Sequence, residues 1–172
     1  DLPVALLIDA SASMSYGEPD KLQYATKLAA ALGYLALRSQ DRVALYAARG
    51  GLELGPSGLR GRPSVHRMLT WLAGVSAAGP TDLARTIREF RLRHRGTGVV
   101  VLISDLLDRQ GPEAALRLLG ATRSQVIVLH VLSPQEIDPS TLEEDLRLVD
   151  SESGNQVEIS RSPKVFERYK KT

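Results

Sequence analysis

Asp9, Ser11 and Ser13 alternate with Ala10 and Ala12, so one short loop can aim several oxygen atoms at a common point. Sets made only of oxygen suit hard cations. Mg2+ prefers near-octahedral oxygen ligands at roughly 2.0–2.1 Å and usually keeps some of its own waters. Hydroxyls together with one or two carboxylates match that preference. Because so few anionic ligands neutralise the ion, an open coordination position stays electrophilic and can accept a carboxylate from another molecule. The chemistry expected of such a loop is therefore binding.

Other chemistries find less support. Phosphoryl transfer through Asp9 as a covalent nucleophile, with a metal's help, is the first enzymatic alternative. Haloacid-dehalogenase-type phosphatases resemble this strand-end Asp, but they place another Asp two residues later, where this chain has Ser11. No Gly-x-Ser-x-Gly elbow is present, and His66, His94 and His130 lack a triad context. His130 reads as a packed residue in or near a strand. Gly58-Leu-Arg-Gly-Arg62 lacks the Gly-Lys-Ser/Thr ending of a phosphate loop. Cys 0 removes thiolate nucleophiles, disulfides and zinc-thiolate sites together. No turnover is expected.

Charge gives a weak signal overall, since 22 basic and 20 acidic side chains leave a net +2. Arg85, Arg88, Arg91, Arg93 and Arg95 crowd one segment, which raises nucleic-acid binding as an alternative. Phe90 is their only Phe, Tyr or Trp companion, a poor basis for stacking bases. A solvated helix face or an acidic protein partner is favoured, and no nucleic acid is expected. Solvated faces are also favoured for the basic Lys164 to Lys171 stretch and for the acidic region of Glu143, Glu144, Asp145, Asp150 and Glu152.

Elements that could position the oxygen set follow from periodicity. Val4 to Ile8 is an apolar run that stops at Asp9, as a strand buried on both faces would. Beyond Pro19-Asp20, apolar residues recur at Leu22, Ala25, Leu28, Ala29, Leu32 and Leu35, predicting a helix that ends near Arg38 to Gln40. Arg42 to Ala47 predicts a strand, and Leu52 to Leu54 a short one across the Gly50-Gly51 turn. Pro63 opens a helix with Val65, Met68, Leu69 and Leu72 inward, Trp71 in a packing role and Gly74 at its close. Thr81 or Asp82 caps another, with Leu83, Ile87 and Phe90 inward and its arginines outward.

Gly98 to Ile103 is the clearest strand and reads as central, bounded by Ser104-Asp105. Pro112 to Leu119 predicts a short helix stopped by Gly120, and Gln125 to Val131 a fifth strand. Leu146 to Val149 and Val157 to Ile159 flank a Ser153-Gly154-Asn155 turn, so a terminal hairpin is expected. Ser162-Pro163 starts a last helix with Val165, Phe166 and Tyr169 inward.

Helices alternating with apolar strands imply an α/β fold, a mostly parallel central sheet with helices on both faces. Its 172 residues, 43% hydrophobic and 24% charged, suit a single domain spanning 1–172 with its own core. The longest apolar runs fall short of the ~18 to 20 residues that span a bilayer, so no membrane contact by this domain is expected. With no leader and no initiator Met, the expectation is a mature product or a domain excised from a longer protein. Ligands of such sheets gather beyond the carboxyl ends of the strands, where strand order reverses. If the strands ending at Asp9 and Asp105 are neighbours, two carboxylates meet at one rim, and Thr81 and Asp82 can reach it from the intervening connection.

Asp9-Ala-Ser-Ala-Ser13, the Thr of Gly79-Pro-Thr-Asp-Leu83 and the Asp of Leu102-Ile-Ser-Asp105 together resemble the metal-ion-dependent adhesion site (MIDAS) of von Willebrand factor A (vWA) domains. Further stretches narrow the likeness: Leu35-Ala-Leu-Arg38 with Asp41-Arg-Val43, His130-Val-Leu-Ser-Pro134, and Leu148-Val-Asp-Ser-Glu-Ser-Gly154 resemble the bacterial domain-of-unknown-function family 58 (DUF58) across nearly the whole chain. Alone, the first motif would read as a polar turn, since so short a pattern recurs by chance. Joined to Thr81 and Asp105 it favours a metal. The resemblance implies a Rossmann-like vWA fold and a MIDAS binding Mg2+, with Mn2+ or Ca2+ as substitutes. Ser11, Ser13 and Thr81 would be hydroxyl ligands, and Asp9 and Asp105 would bind directly or through water. Asp82 could serve behind the ligands, although capping a helix suits it better. The partner implied is a protein offering a carboxylate, a MoxR-type AAA+ ATPase or its client, in protein assembly or maturation. The location implied is cytoplasmic, with a parent that is often membrane-anchored.

Overall fold

The computed structural model describes residues 1–94, 96–138, 146–149 and 156–159. Strand β1 (Pro3–Asp9) leads through a single 3-10 turn (Ala12–Ser15) into helix α1 (Lys21–Arg38) and back into β2 (Arg42–Ala48). Short strands β3 (Leu52–Leu54) and β4 (Leu59–Arg60) precede α2 (Val65–Gly74) and α3 (Leu83–Arg93). Then come β5 (Val99–Ser104), α4 (Glu113–Gly120), β6 (Gln125–His130) and the four-residue turn α5 (Pro134–Ile137). Strands β7 (Leu146–Val149) and β8 (Gln156–Ile159) form the expected antiparallel hairpin, with Leu146 opposite Ile159. The predicted last helix from Ser162 lies outside the described residues. Among those described, no helix is long and apolar enough to cross a membrane.

The main sheet runs β3-β2-β1-β5-β6, with β4 also pairing β2. Strands β2, β1, β5 and β6 are parallel, and β3 and β4 run antiparallel to β2. Alternation along β1 explains its uninterrupted apolar run: Leu6 and Ile8 join a core with α1 and α2, while Ala5 and Leu7 join one with α3 and α4. All four are fully buried. Helices thus cover both faces, as the sequence predicts.

Asp20 caps α1 by accepting the Gln23 N–H at 3.1 Å. The helix buries Lys21, Ala25, Ala29, Gly33 and Leu37, a row at four-residue spacing, together with Leu22. Gly33 lets α1 approach α2 closely there, since a Cβ would press on the Met68 side chain and force it to shift. Leu35, expected on this face, is 59% exposed instead. It sits two residues from both Gly33 and Leu37, about 200° around the helix. Leu69 is likewise 45% exposed, because α2 turns Met68 and Leu72 to the core. Strand β4 and the turn α5 were not foreseen.

Sheet order decides where chemistry can gather. From β1 the chain moves through α1 to β2 on one side, then returns to β5 on the other. The reversal falls between β1 and β5, and Asp9 and Ser104 end those two strands.

Candidate metal centre

Both carboxylates of the predicted set lie at that reversal. Asp9 is fully buried; its Oδ1 accepts the Ser11 N–H at 3.0 Å and its Oδ2 accepts the Ser104 hydroxyl at 2.5 Å. Carboxylate and loop are therefore locked together, and the Ser11 and Ser13 Oγ atoms stand 3.0 Å apart. Thr81 belongs to a segment tied to the same loop through its backbone. The Ala78 N–H donates to the Ala10 carbonyl at 2.9 Å, and the Ala12 N–H to the Gly79 carbonyl at 3.0 Å. Gly79 takes a left-handed φ of 74° at this close approach. Thr81 itself is 8% exposed. Asp82 does what a cap does, accepting the Arg85 N–H at 2.9 Å.

Asp105, 1% exposed, follows β5 directly. Its Oδ1 accepts the Leu107 N–H at 3.0 Å, and its Oδ2 accepts from the Lys21 ammonium at 2.7 Å. The same ammonium reaches Glu136 Oε1 at 2.6 Å. Leu106, next in the chain, has a left-handed φ of 57° and donates its N–H to Ser104 Oγ at 2.9 Å. A non-glycine residue in that conformation stores local strain of order 1 kcal/mol, a feature concentrated at functional sites. His130 is exposed rather than packed in the core, because β6 is the sheet's outer strand. Its ring Nε2 lies 3.0 Å from the Asp105 carbonyl oxygen.

Lys21, Glu136 and Ser104 were not singled out from the sequence, although each left a trace. Lys21 begins the four-residue row that continues through Ala25, Ala29 and Gly33, so an ammonium at the head of a core face was readable. Ser133 and Glu136 have capping-box spacing, and both reciprocal bonds form, Glu136 Oε2 accepting the Ser133 N–H at 2.7 Å. Ser104 immediately precedes Asp105 in Leu102-Ile-Ser-Asp105, so a second hydroxyl at that strand end is visible in the sequence.

Burial pushes the Asp9 carboxyl above its ordinary range; hydrogen bonds from Ser104 and Ser11 oppose that, and the charge of Asp105 adds to it. Burial also works against the Lys21 charge, but hydrogen bonds and charge from Asp105 and Glu136 outweigh it and hold the ammonium above the usual lysine range. Asp9 has no ion pair among the described residues, so its ionised form is the least compensated charge of the centre.

A raised acid pKa in the fold means that the unfolded chain gives up its proton first as pH climbs. Stability is thus full below the ordinary Asp value of 3.8 and is lost as pH rises through the folded one. In chelator, wild type should lose more unfolding free energy between pH 4 and pH 7 than Asp9→Asn does. Urea titrations at the two pH values check this, and equal losses would remove the buried-charge cost.

A divalent ion suits this donor set. Among the described residues no group of three or more His, Cys, Asp or Glu could hold a metal, so a cation here depends on the hydroxyls. Two carboxylates with serine and threonine oxygens match a hard ion that keeps waters. Asp9 is fully buried, so its carboxylate presents no exposed oxygen from which to attack a phosphoryl donor in line. On α3, Arg85, Arg88, Arg91 and Arg93 are exposed, Arg85 pairs with Glu89 at 3.0 Å, and Phe90 is fully buried, leaving that helix no Phe, Tyr or Trp with which to stack bases.

Comparisons with known proteins agree with this architecture. The sequence matches a family model described as protein of unknown function DUF58 over residues 1–172. No curated protein matches it. Among solved structures it is similar to the conserved hypothetical protein BatB from Bacteroides thetaiotaomicron, with a TM-score of 0.61 and 18% identity over 99% of this chain and 86% of that one. It is similar to a von Willebrand factor type A protein from Catenulispora acidiphila, with a TM-score of 0.60 and 19% identity over 74% of this chain and 32% of that one. An aerotolerance-related membrane protein from Bacteroides fragilis gives a TM-score of 0.58 and 19% identity, covering 99% and 87%. At such identities the likeness is one of fold. With the family model spanning every residue and the sheet shared with A-type domains, this chain belongs to the DUF58 family and has a vWA-like fold.

Proposed function

We propose that this domain is a protein-binding module that holds Mg2+ through the hydroxyls of Ser11, Ser13 and Thr81, with Asp9 and Asp105 acting directly or through water. The observation that carries the reading is the oxygen constellation at the β1/β5 reversal, with the Asp9 charge buried and uncompensated by any ion pair among the described residues. A bound ion would supply an electrophilic position for a carboxylate of the partner.

The chain's own residues do the arranging. Asp9 fixes the loop through the Ser11 N–H, Ser104 fixes Asp9, and the Leu107 N–H fixes Asp105. Loops after β1, β5 and β6 expose Tyr16, Leu107, Leu132 and Ile137, so apolar surface accompanies the centre. Apolar contact beside a charged anchor fits a protein better than a small anion. Family resemblance supplies the candidate partner, a MoxR-type AAA+ ATPase or one of its clients.

Calorimetric titration of Mg2+ should give binding heat with wild type and none with Ser11→Ala/Ser13→Ala. Wild type alone should gain thermal stability as Mg2+ exceeds its dissociation constant. Identical heats from the two proteins would sink the reading. Retention of a purified MoxR-type ATPase by the immobilised domain, lost on adding chelator, would extend it to that partner.

A further inference from the structure

Lys21 is among the largest fully buried side chains of the described residues, and it places a cation within the candidate centre itself. Its ammonium lies 2.7 Å from Asp105 Oδ2 and 2.6 Å from Glu136 Oε1, with side-chain exposures of 1% for Lys21, 0% for Asp105 and 15% for Glu136. Two carboxylates, Asp105 and Glu136, thus meet one ammonium, while Asp9 bears on the group only through its charge beside Asp105. Asp105 is the member shared with the proposed metal set, and one of its oxygens is already committed to Lys21. A cation bound beside Asp105 must divide that carboxylate's charge with the lysine.

We propose that Lys21 acts as a resident counter-cation that sets the divalent affinity of this centre, with Glu136 drawing the ammonium's charge away from Asp105 and so keeping Asp105 available. This rests on the metal-binding reading above. Glu136 suits the task because its two oxygens divide the work. Oε1 holds Lys21 while Oε2 accepts the Ser133 N–H of the α5 capping box. Glutamine preserves such a box, so Glu136→Gln removes the charge and keeps the local fold.

The two ends of this relay should respond in opposite directions. Lys21→Met frees Asp105 and makes the centre more negative by one charge, so Mg2+ should bind roughly tenfold tighter, and added Mg2+ should raise the variant's melting temperature more than it raises that of wild type. Glu136→Gln leaves the ammonium to Asp105 alone and should weaken Mg2+ severalfold. A scaffolding role for Lys21 would weaken binding in both variants or in neither.

Calorimetry and thermal melts of wild type, Lys21→Met and Glu136→Gln with Mg2+ against chelator give the test. Tighter binding by the first and weaker by the second supports the proposal. Weaker or unchanged binding in Lys21→Met overturns it while leaving the metal reading intact. No binding by any of the three overturns both. Should Lys21→Met fail to fold, Glu136→Gln decides alone, and unchanged or tighter binding there overturns the proposal.

Discussion

Asp105→Ala is expected to lower the unfolding free energy in chelator by about 3–5 kcal/mol, because it takes the nearer-buried carboxylate from an ammonium that is 1% exposed. Lys21 would keep Glu136, but that partner is 15% exposed and cannot replace a fully buried one. At roughly 2–4 °C per kcal/mol for a chain of this size, the melting temperature should fall by about 10 °C. The Leu107 N–H loses its acceptor as well. Asp105→Ala combined with Lys21→Met should cost clearly less than the sum of the single changes, since the buried ammonium is then removed together with its acid. Urea unfolding of the four proteins measures the cycle. A single-variant loss below about 1 kcal/mol would mean that water reaches Lys21 and that the pair behaves as a surface bridge.

Phe90→Ala is expected to cost a similar 3–5 kcal/mol by a different route. Phe90 is fully buried in the core that α3 shares with β1 and β5. Its ring meets Tyr46 edge-on with centroids 5.0 Å apart and stacks on His94 at 4.9 Å. Removing it opens a cavity across the face of the sheet opposite α1 and α2. Burial holds His94 below the ordinary imidazole range, so the same variant should let the His94 pKa move up as water enters. Denaturant unfolding checks the first effect and proton NMR titration of His94 the second. Mg2+ binding should persist if the variant is folded, because Phe90 takes no part in the centre.

Much of the architecture was legible because its signals are local and periodic. Apolar runs at Val4 to Ile8 and Gly98 to Ile103 mark strands covered on both faces, and these strands pair as neighbours, Ile8 opposite Ile103. Asp82 was readable as a cap because capping involves only its own helix end. Periodicity was weaker evidence about which face is buried. Leu35 and Leu69 satisfy an apolar pattern yet face solvent, since a helix buries whatever its neighbours cover, and the approach of α1 to α2 at Gly33 and Met68 settles that. His130 was misplaced for a related reason: it is the last residue of an outer strand, and strand order is not written in any one strand.

Residue types and spacing alone established an all-oxygen loop, four apolar strands fit for a parallel sheet, and the positions at which their ends would carry Asp9 and Asp105. Tertiary structure decided who stands beside those carboxylates. Lys21 meets Asp105 across 84 residues of chain and Glu136 across 115, while Ser104 meets Asp9 across 95. Contacts of that span arise from strand order and from the packing of α1 over the sheet, so no local pattern encodes them. A buried ammonium needs partners for its charge; here Asp105 and Glu136 converge on it, and that convergence exists only once the chain has folded.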